Sequence, residues 1–163
     1  MFTDWQATPL PILPLFGDPK WIPKYSSDPA DQRELLDKAR KVRVIVIDDE
    51  AVIAETVVEI LKEDGFEATA VSNGASAVAL AESYLPDIVL SDVIMPGMNG
   101  IETGIKIREI VPKCRIILFS GQAATVDLLE KARQQGHSFD ILAKPIRPEQ
   151  LIAVIRDTSG YKS

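Results

Sequence analysis

Polar side chains that suit phosphoryl chemistry follow four separate apolar runs of the chain. They are the acidic group Asp48-Asp49-Glu50, then Asp92, Ser120 and Lys144. Carboxylates brought together repel one another, and a divalent cation relieves that repulsion; oxygen ligands with room for water suit Mg²⁺. The cation and Lys144 would bind phosphoryl oxygens, and a carboxylate beside them can be the nucleophile that forms an acyl phosphate. An Asp-Asp pair alone is a weak signal, whereas this set at successive strand ends is a strong one.

The stretch from Ile88 to Gly100 is the centre of this pattern. It begins with the apolar run 88–90 between turn residues, which predicts a buried parallel strand with Asp92 at its end. A tight loop should follow, because Pro fixes φ while Gly and Asn accept positive φ; its residues are Pro96, Gly97, Asn99 and Gly100. Open α/β sheets place their chemistry at such strand ends. The alternative is that Asp92 only caps a turn or the next helix.

Strands and helices alternate along the chain from Val42 onward. β-branched apolar runs predict strands over 42–47, 66–71, 87–91, 115–119 and 138–142. Apolar residues at helical spacing predict helices over 50–64, 75–84, 99–110, 123–135 and 147–157. Five strand–helix units with short links indicate an α/β fold with a doubly wound, five-stranded parallel sheet. In that fold the polar residues named above share one edge of the sheet.

The first 40 residues differ in composition from the remainder, which suggests an extension (1–40) before a domain over 41–160. Residues 1–29 contain six of the eleven prolines and both tryptophans, Trp5 and Trp21. Such dense proline blocks helix and central strand, yet the segment is too apolar for an ordinary solvated tail. We expect it to lie extended on a surface, the alternative being a poorly ordered leader. A polar helix is predicted from about Ala30 to Lys41, after the start signal Ser27-Asp28-Pro29.

Charge and composition argue against several classes of protein. The net charge is −6 and no long Lys/Arg run occurs, which argues against nucleic-acid binding by this chain. No apolar run approaches the roughly 18 residues of a membrane-spanning helix. Cys114 is the only cysteine and His137 the only histidine, which argues against a disulfide and a zinc site. We expect a cytoplasmic protein with Cys114 in its core.

Residues from about Lys41 to Thr158 resemble a response-regulator receiver domain (CheY-like), the phosphoacceptor module of two-component signalling. Four motifs carry the resemblance: Ile45-Val46-Ile47-Asp48-Asp49-Glu50, Asp92-Val93-Ile94-Met95-Pro96-Gly97-Met98-Asn99-Gly100, Ser120-Gly121 and Lys144-Pro145. The resemblance implies a flavodoxin-like strand order 2-1-3-4-5 and a Lys144-Pro145 bond that is usually cis in the family. It also implies a phosphoacceptor that assists its own phosphorylation and dephosphorylation, not an enzyme with a separate substrate.

The same resemblance implies the roles of individual residues. Asp92 would be the phosphoacceptor, Ser120 the switch hydroxyl and Lys144 the phosphate-binding lysine. Mg²⁺ would be bound by Asp49, Asp92 and the backbone carbonyl of Ile94, with Asp48 assisting. The residues two beyond the acceptor and two beyond the switch hydroxyl, Ile94 and Gln122, would border the approach of hydrolytic water.

Two features of the chain depart from the family pattern. The aromatic residue usual three positions before the lysine is Ile141 here, and Phe139 is a possible substitute. Only 19 residues follow Lys144, so we expect no DNA-binding or catalytic output domain after it.

Three functional hypotheses remain open at this stage. The leading one is a single-domain receiver phosphorylated by a sensor histidine kinase or a histidine phosphotransfer protein, which then binds an unknown output protein; a homodimer is possible. The second is an interaction module that works without phosphate. The third is a phosphatase with an aspartyl-phosphate intermediate, which is disfavoured because such enzymes usually carry the nucleophile after the first strand in an Asp-x-Asp arrangement.

Overall fold

Five parallel strands form one sheet in the computed structural model, which describes residues 28–121 and 125–158. The strands are β1 (Arg43–Ile47), β2 (Glu67–Val71), β3 (Ile88–Asp92), β4 (Arg115–Ser120) and β5 (Asp140–Ala143). Their order across the sheet is β2-β1-β3-β4-β5, and every neighbouring pair is parallel. The predicted doubly wound sheet and its strand order are therefore confirmed.

Six helices precede, connect or follow these strands in the described part of the chain. They are α1 (Pro29–Ala39), α2 (Ala51–Glu63), α3 (Gly74–Tyr84), α4 (Gly100–Ile110), α5 (Thr125–Gln134) and α6 (Pro148–Thr158). The chain divides between Arg40 and Lys41, with α1 in one unit and the sheet with α2 to α6 in the other. None of these helices has the length and apolar character that crossing a membrane requires.

Helix α1 begins where the sequence predicts. The Asp28 side chain accepts a hydrogen bond from the Ala30 amide at 2.9 Å, which satisfies one of the free N–H groups of the first turn. The helix ends two residues earlier than expected, because the backbone of Arg40 is already extended (ψ 134°). Segment 1–29, with Trp5 and Trp21, was expected to lie extended on a surface; its residues 1–27 lie outside the described part of the chain.

Alternating strand residues bury two separate apolar clusters, one on each face of the sheet. Val44 and Val46 of β1 pack with residues of α2 and α6, whereas Ile45 and Ile47 pack with residues of α3, α4 and α5. Both faces of the central strands are thus covered by helices, which explains why these strands are continuous apolar runs in the sequence. Cys114 lies in the second cluster as predicted, and burial raises the pKa of its thiol to about 12.

All five strands differ by one or two residues at an end from the sequence prediction, and pairing explains the differences in β3 and β5. Strand β3 extends to Asp92, because Asp92 is in register with Phe119 of β4. Strand β5 covers Asp140–Ala143 instead of 138–142, since its pairing with β4 begins at Asp140 opposite Ile117. The predicted start of the fourth helix of the domain at Ala123 lies outside the described residues, and α5 is described from Thr125.

Candidate functional site

Neighbouring strands bring three carboxylates to the carboxyl edge of the sheet. β1 pairs with β3 so that Ile47 is in register with Ser91. Asp48 comes directly after Ile47, and Asp92 comes directly after Ser91. One carboxylate oxygen from each of Asp48, Asp49 and Asp92 lies within 4.8 Å of the other two. Asp48 is buried, Asp92 half-buried and Asp49 exposed, so the cluster runs from the interior to solvent. The sequence analysis expected these three side chains to meet, and they do.

Lys144 reaches this cluster from the far side of β4. Its backbone N–H donates to the carbonyl oxygen of Ser120 at 2.9 Å, which fixes the residue just beyond β5. Its ammonium nitrogen lies 3.0 Å from Oδ2 of Asp92 and 4.0 Å from Oδ2 of Asp48. The Lys144-Pro145 peptide bond is cis, as the resemblance implied. The Lys144 ammonium therefore lies close to two of the three carboxylates.

Asp48 is the most buried member of the cluster, with only 3% of its surface exposed. Its Oδ1 accepts a hydrogen bond from the Glu50 amide at 2.9 Å. Burial raises the pKa of the Asp48 carboxyl, and the negative charges of Asp92 and Asp49 add to that rise; the Glu50 amide and Lys144 act in the opposite direction.

The surroundings of the other carboxylate oxygen of Asp48, Oδ2, indicate whether the cluster fits a metal ion. Oδ2 is buried and accepts no hydrogen bond from any residue in the described part of the chain. A buried carboxylate oxygen without a hydrogen-bond donor is costly unless a cation compensates it. Three carboxylates with one such free oxygen form the kind of acidic cluster that holds a hard divalent cation.

The loop after Asp92 folds back over its carboxylate. The Ile94 amide donates to Oδ1 of Asp92 at 3.3 Å, and the Ile94 side chain is 44% exposed. Of the loop residues expected to accept positive φ, only Gly97 does so (φ 77°). That expectation is wrong for Asn99, whose φ is −74° because it caps α4. Its side chain accepts from the Glu102 amide, and the Glu102 carboxylate accepts from the Asn99 amide.

Gly100 has a steric role that the sequence analysis missed. A Cβ atom at this position would lie 2.1 Å from the backbone oxygen of Asp92, so only glycine lets the start of α4 approach the end of β3. The Gly100 amide donates to the Val93 oxygen at 2.9 Å and closes this approach. A glycine beside a helix cap is an ordinary sequence feature, and the need for it appears only once the strand end and the helix are packed together.

Ser120, the last residue of β4, carries its hydroxyl to the same edge of the sheet but toward α5. Its Oγ shares a hydrogen bond with the hydroxyl of Thr125, the first residue of α5. Thr125 is 2% exposed and was not among the residues singled out from the sequence. Gln122, which was expected to border the site, lies outside the described residues.

Ile141 occupies the position usual for the aromatic switch residue, and the structure places its possible substitute, Phe139, elsewhere. Ile141 stands in β5 and is 47% exposed. Phe139 precedes β5, at the end of the strand opposite Lys144, and is half-buried against α4. A Cβ atom at Gly104 would lie 3.1 Å from the Phe139 ring, and the Arg108 guanidinium lies 4.9 Å from its centre. Phe139 therefore packs on α4 and does not take the place of an aromatic at Ile141.

The parallel sheet of order 2-1-3-4-5, with an acidic pocket and a lysine at its carboxyl edge, defines a flavodoxin-like α/β domain of signalling type. Residues 44–156 match the family described as "Response regulator receiver domain", and the chain therefore belongs to the response-regulator receiver family of two-component systems. Receiver domains partner with histidine kinases, and they generally act as phosphoacceptors.

Individual relatives and a solved structure agree with this assignment. The DNA-binding response regulator MtrA of Mycolicibacterium paratuberculosis is 30% identical over 114 residues, which are 70% of this chain and 49% of that protein. The transcriptional regulatory protein PdtaR of Mycobacterium tuberculosis is 37% identical over 122 residues, covering 73% of this chain and 57% of that protein. The chemotaxis protein CheY4 of Vibrio cholerae is 25% identical, with a TM-score of 0.65 over 72% of this chain and 98% of that one. The chain spans about half the length of the curated relatives it matches.

Proposed function

We propose that this protein is a response regulator that accepts a phosphoryl group on Asp92 from a phosphohistidine, in an Mg²⁺-dependent transfer. The donor is a sensor histidine kinase or a histidine phosphotransfer protein. The observation that carries the proposal is the 3.0 Å contact between Lys144 Nζ and Asp92 Oδ2 beside two further carboxylates. We further propose residues 1–40 as an extension and 41–160 as the receiver domain.

The transfer exchanges one bond of phosphorus for another. A carboxylate oxygen of Asp92 attacks the phosphorus of the phosphohistidine, the P–O bond forms, and the P–N bond breaks with its electron pair returning to the imidazole. Lys144 already sits against Asp92 and would shift its contact to a phosphoryl oxygen, where it balances the added negative charge. The exposed position of Asp49 leaves the outer side of the cluster open to a donor protein.

Asp48, Asp49, Asp92 and the carbonyl of Ile94 would hold the magnesium ion. When bound, it supplies positive charge that offsets the repulsion among the carboxylates and the phosphoryl oxygens. The free Oδ2 of Asp48 supports this assignment, since its burial without a hydrogen bond suits a carboxylate that has a cation as partner.

The proposed output is a phosphorylation-dependent change in protein binding. We propose that phosphorylation of Asp92 changes the affinity of this chain for an output protein.

Labelling with acetyl phosphate tests the proposal without knowledge of the natural kinase. The purified protein is incubated with acetyl phosphate and Mg²⁺, and the phosphorylated fraction is separated on a phosphate-binding gel. We expect a shifted band that needs Mg²⁺ and disappears with EDTA. A protein that is never labelled would favour the phosphate-independent interaction module; a labelled protein that also turns over many equivalents of a phosphomonoester would favour the phosphatase.

A further inference from the structure

The backbone of Ser120 is fixed, so its hydroxyl can change partner only by side-chain rotation. Ser120 is in register with Ala143 of β5, and its carbonyl oxygen accepts from the Lys144 amide at 2.9 Å. Its Oγ carries a single proton and therefore donates one hydrogen bond at a time. Rotation between staggered χ1 positions is the remaining freedom of this side chain.

The Ser120 hydroxyl has the Thr125 hydroxyl as its partner in the structure, and a phosphoryl group on Asp92 would offer it a second. Phe119 is in register with Asp92, so Ser120 follows directly at the edge where Asp92 ends β3. A phosphoryl group on Asp92 would bring oxygen acceptors to this edge. In the structure, however, the Ser120 hydroxyl is bonded to the hydroxyl of Thr125, on the side of α5.

We propose that Thr125 is a positioning residue that holds the Ser120 hydroxyl toward α5 in the unphosphorylated domain. When the Ser120 hydroxyl rotates to bond a phosphoryl group on Asp92, the first turn of α5 is released. This inference rests on the proposed function. Thr125 is buried at the first residue of α5, so losing a hydrogen bond there weakens the attachment of the helix to the sheet edge.

Neither the Phe139 nor the Ile141 side chain offers an oxygen or nitrogen atom to the Ser120 hydroxyl. Phe139 packs on α4 at the opposite end of β5, and Ile141 carries no polar group that could follow the Ser120 hydroxyl. The Ser120–Thr125 hydrogen bond joins the reacting edge of the sheet to a helix whose surface includes the exposed Val126 and Leu128. A rotation of one hydroxyl can therefore alter a surface available to partners.

The test measures the affinity for beryllofluoride, a phosphoryl mimic, in the presence of Mg²⁺, for the parent and three variants. In Thr125→Val the resting partner of Ser120 is absent, so the mimic should bind about threefold to tenfold more tightly, as expected for the loss of one competing hydrogen bond. Thr125→Ser keeps the hydroxyl and should bind like the parent. In a Ser120→Ala background, Thr125→Val should have no further effect, because Thr125 acts through Ser120.

Each other outcome contradicts the inference in a distinct way. Equal affinity of parent and Thr125→Val would show that the two hydroxyls do not compete. An equal effect of Thr125→Val with and without Ser120 would show a merely structural role. A parent that binds no beryllofluoride and takes no label from acetyl phosphate would overturn the proposed function as well.

A second measurement on the parent protein does not depend on how the variants fold. Amide hydrogen exchange in the first turn of α5 should become faster when beryllofluoride and Mg²⁺ are bound, while exchange in α2 changes little. Unchanged or slower exchange at the start of α5 in the bound protein would overturn the inference.

Discussion

Lys144 Nζ lies 3.0 Å from Asp92 Oδ2 and 4.0 Å from Asp48 Oδ2, so one ammonium group balances part of the charge of two carboxylates from different strands. The contact joins β5 to β3 across the intervening β4. Half-buried ion pairs of this kind interact more strongly than pairs in open solvent, because less water screens them. We expect the same ammonium to lie close to the oxygens of a phosphoryl group carried by Asp92.

Replacing Lys144 should slow phosphorylation without preventing folding. In Lys144→Gln the developing charge on the phosphoryl oxygens loses its cation, and we expect labelling by acetyl phosphate to slow by roughly a hundredfold. The matched control is Lys106→Gln on the exposed face of α4, which should label like the parent. Labelling of Lys144→Gln at the parental rate would exclude Lys144 from the transfer.

Magnesium affinity should depend on Asp49. Asp49→Ala removes one anionic ligand from a weakly held, hydrated ion, and we expect the Kd for Mg²⁺ to rise at least about tenfold, or about 1.4 kcal/mol. Calorimetric titration measures the change. Glu50→Gln alters the adjacent acidic residue, which is not part of the cluster, and should leave the affinity unchanged. If both variants bind Mg²⁺ like the parent, the ion does not occupy this cluster.

The raised pKa of Asp48 makes the metal-free protein's stability depend on pH. The folded protein holds the proton of the Asp48 carboxyl more tightly than the unfolded chain does. Protonated Asp48 therefore contributes its full stabilisation below the pKa that this carboxyl has in the unfolded chain. That contribution is lost as the pH rises through the raised pKa of the folded protein. Asp48→Asn cannot ionise, so its Tm in EDTA should exceed that of the parent by a few degrees near pH 7, and the gain should vanish at acidic pH.

Differential scanning fluorimetry from pH 4 to 8 measures this difference in Tm. Asp127→Asn, an exposed residue of α5, serves as the control and should show no such pH-dependent gain. A Tm difference for Asp48→Asn that is constant with pH would contradict the explanation by ionisation.

The sequence predicted the positions of Asp48, Asp92 and Lys144 because strand ends are visible as abrupt changes from apolar to polar residues, and parallel strands end at one edge. It did not reveal Thr125 or the steric need for Gly100, because both depend on which side chains meet after the helices pack on the sheet. The packing of Phe139 could not be predicted for the same reason, because its neighbours Gly104 and Arg108 are distant in sequence. Asn99 was expected to favour the loop, but the local capping box with Glu102 determined its conformation.

The lifetime of the phosphorylated state should depend on Ile94. Its amide donates to the Asp92 carboxylate and its side chain is apolar, so we expect it to crowd the approach of water without orienting it. Ile94→Asn should speed loss of phosphate, by about tenfold if about 1.4 kcal/mol of barrier is removed. The protein is phosphorylated, the donor is removed, and the phosphorylated fraction is followed with time.

A matched control separates this effect from a general change in surface polarity. Leu128→Asn replaces an aliphatic side chain of comparable exposure on α5 and should decay like the parent. Decay of the parent as fast as that of Ile94→Asn would show that Ile94 does not protect the phosphoryl bond.

The most direct measurement is intact-protein mass spectrometry of the parent, Asp92→Asn and Asp127→Asn after incubation with acetyl phosphate and Mg²⁺. Asparagine is isosteric with aspartate but lacks the nucleophilic carboxylate, so Asp92→Asn should keep the parental Tm within a few degrees and gain no phosphoryl mass. The parent and Asp127→Asn should each gain one phosphoryl group. Undiminished labelling of a folded Asp92→Asn protein would contradict the assignment of Asp92 as the acceptor.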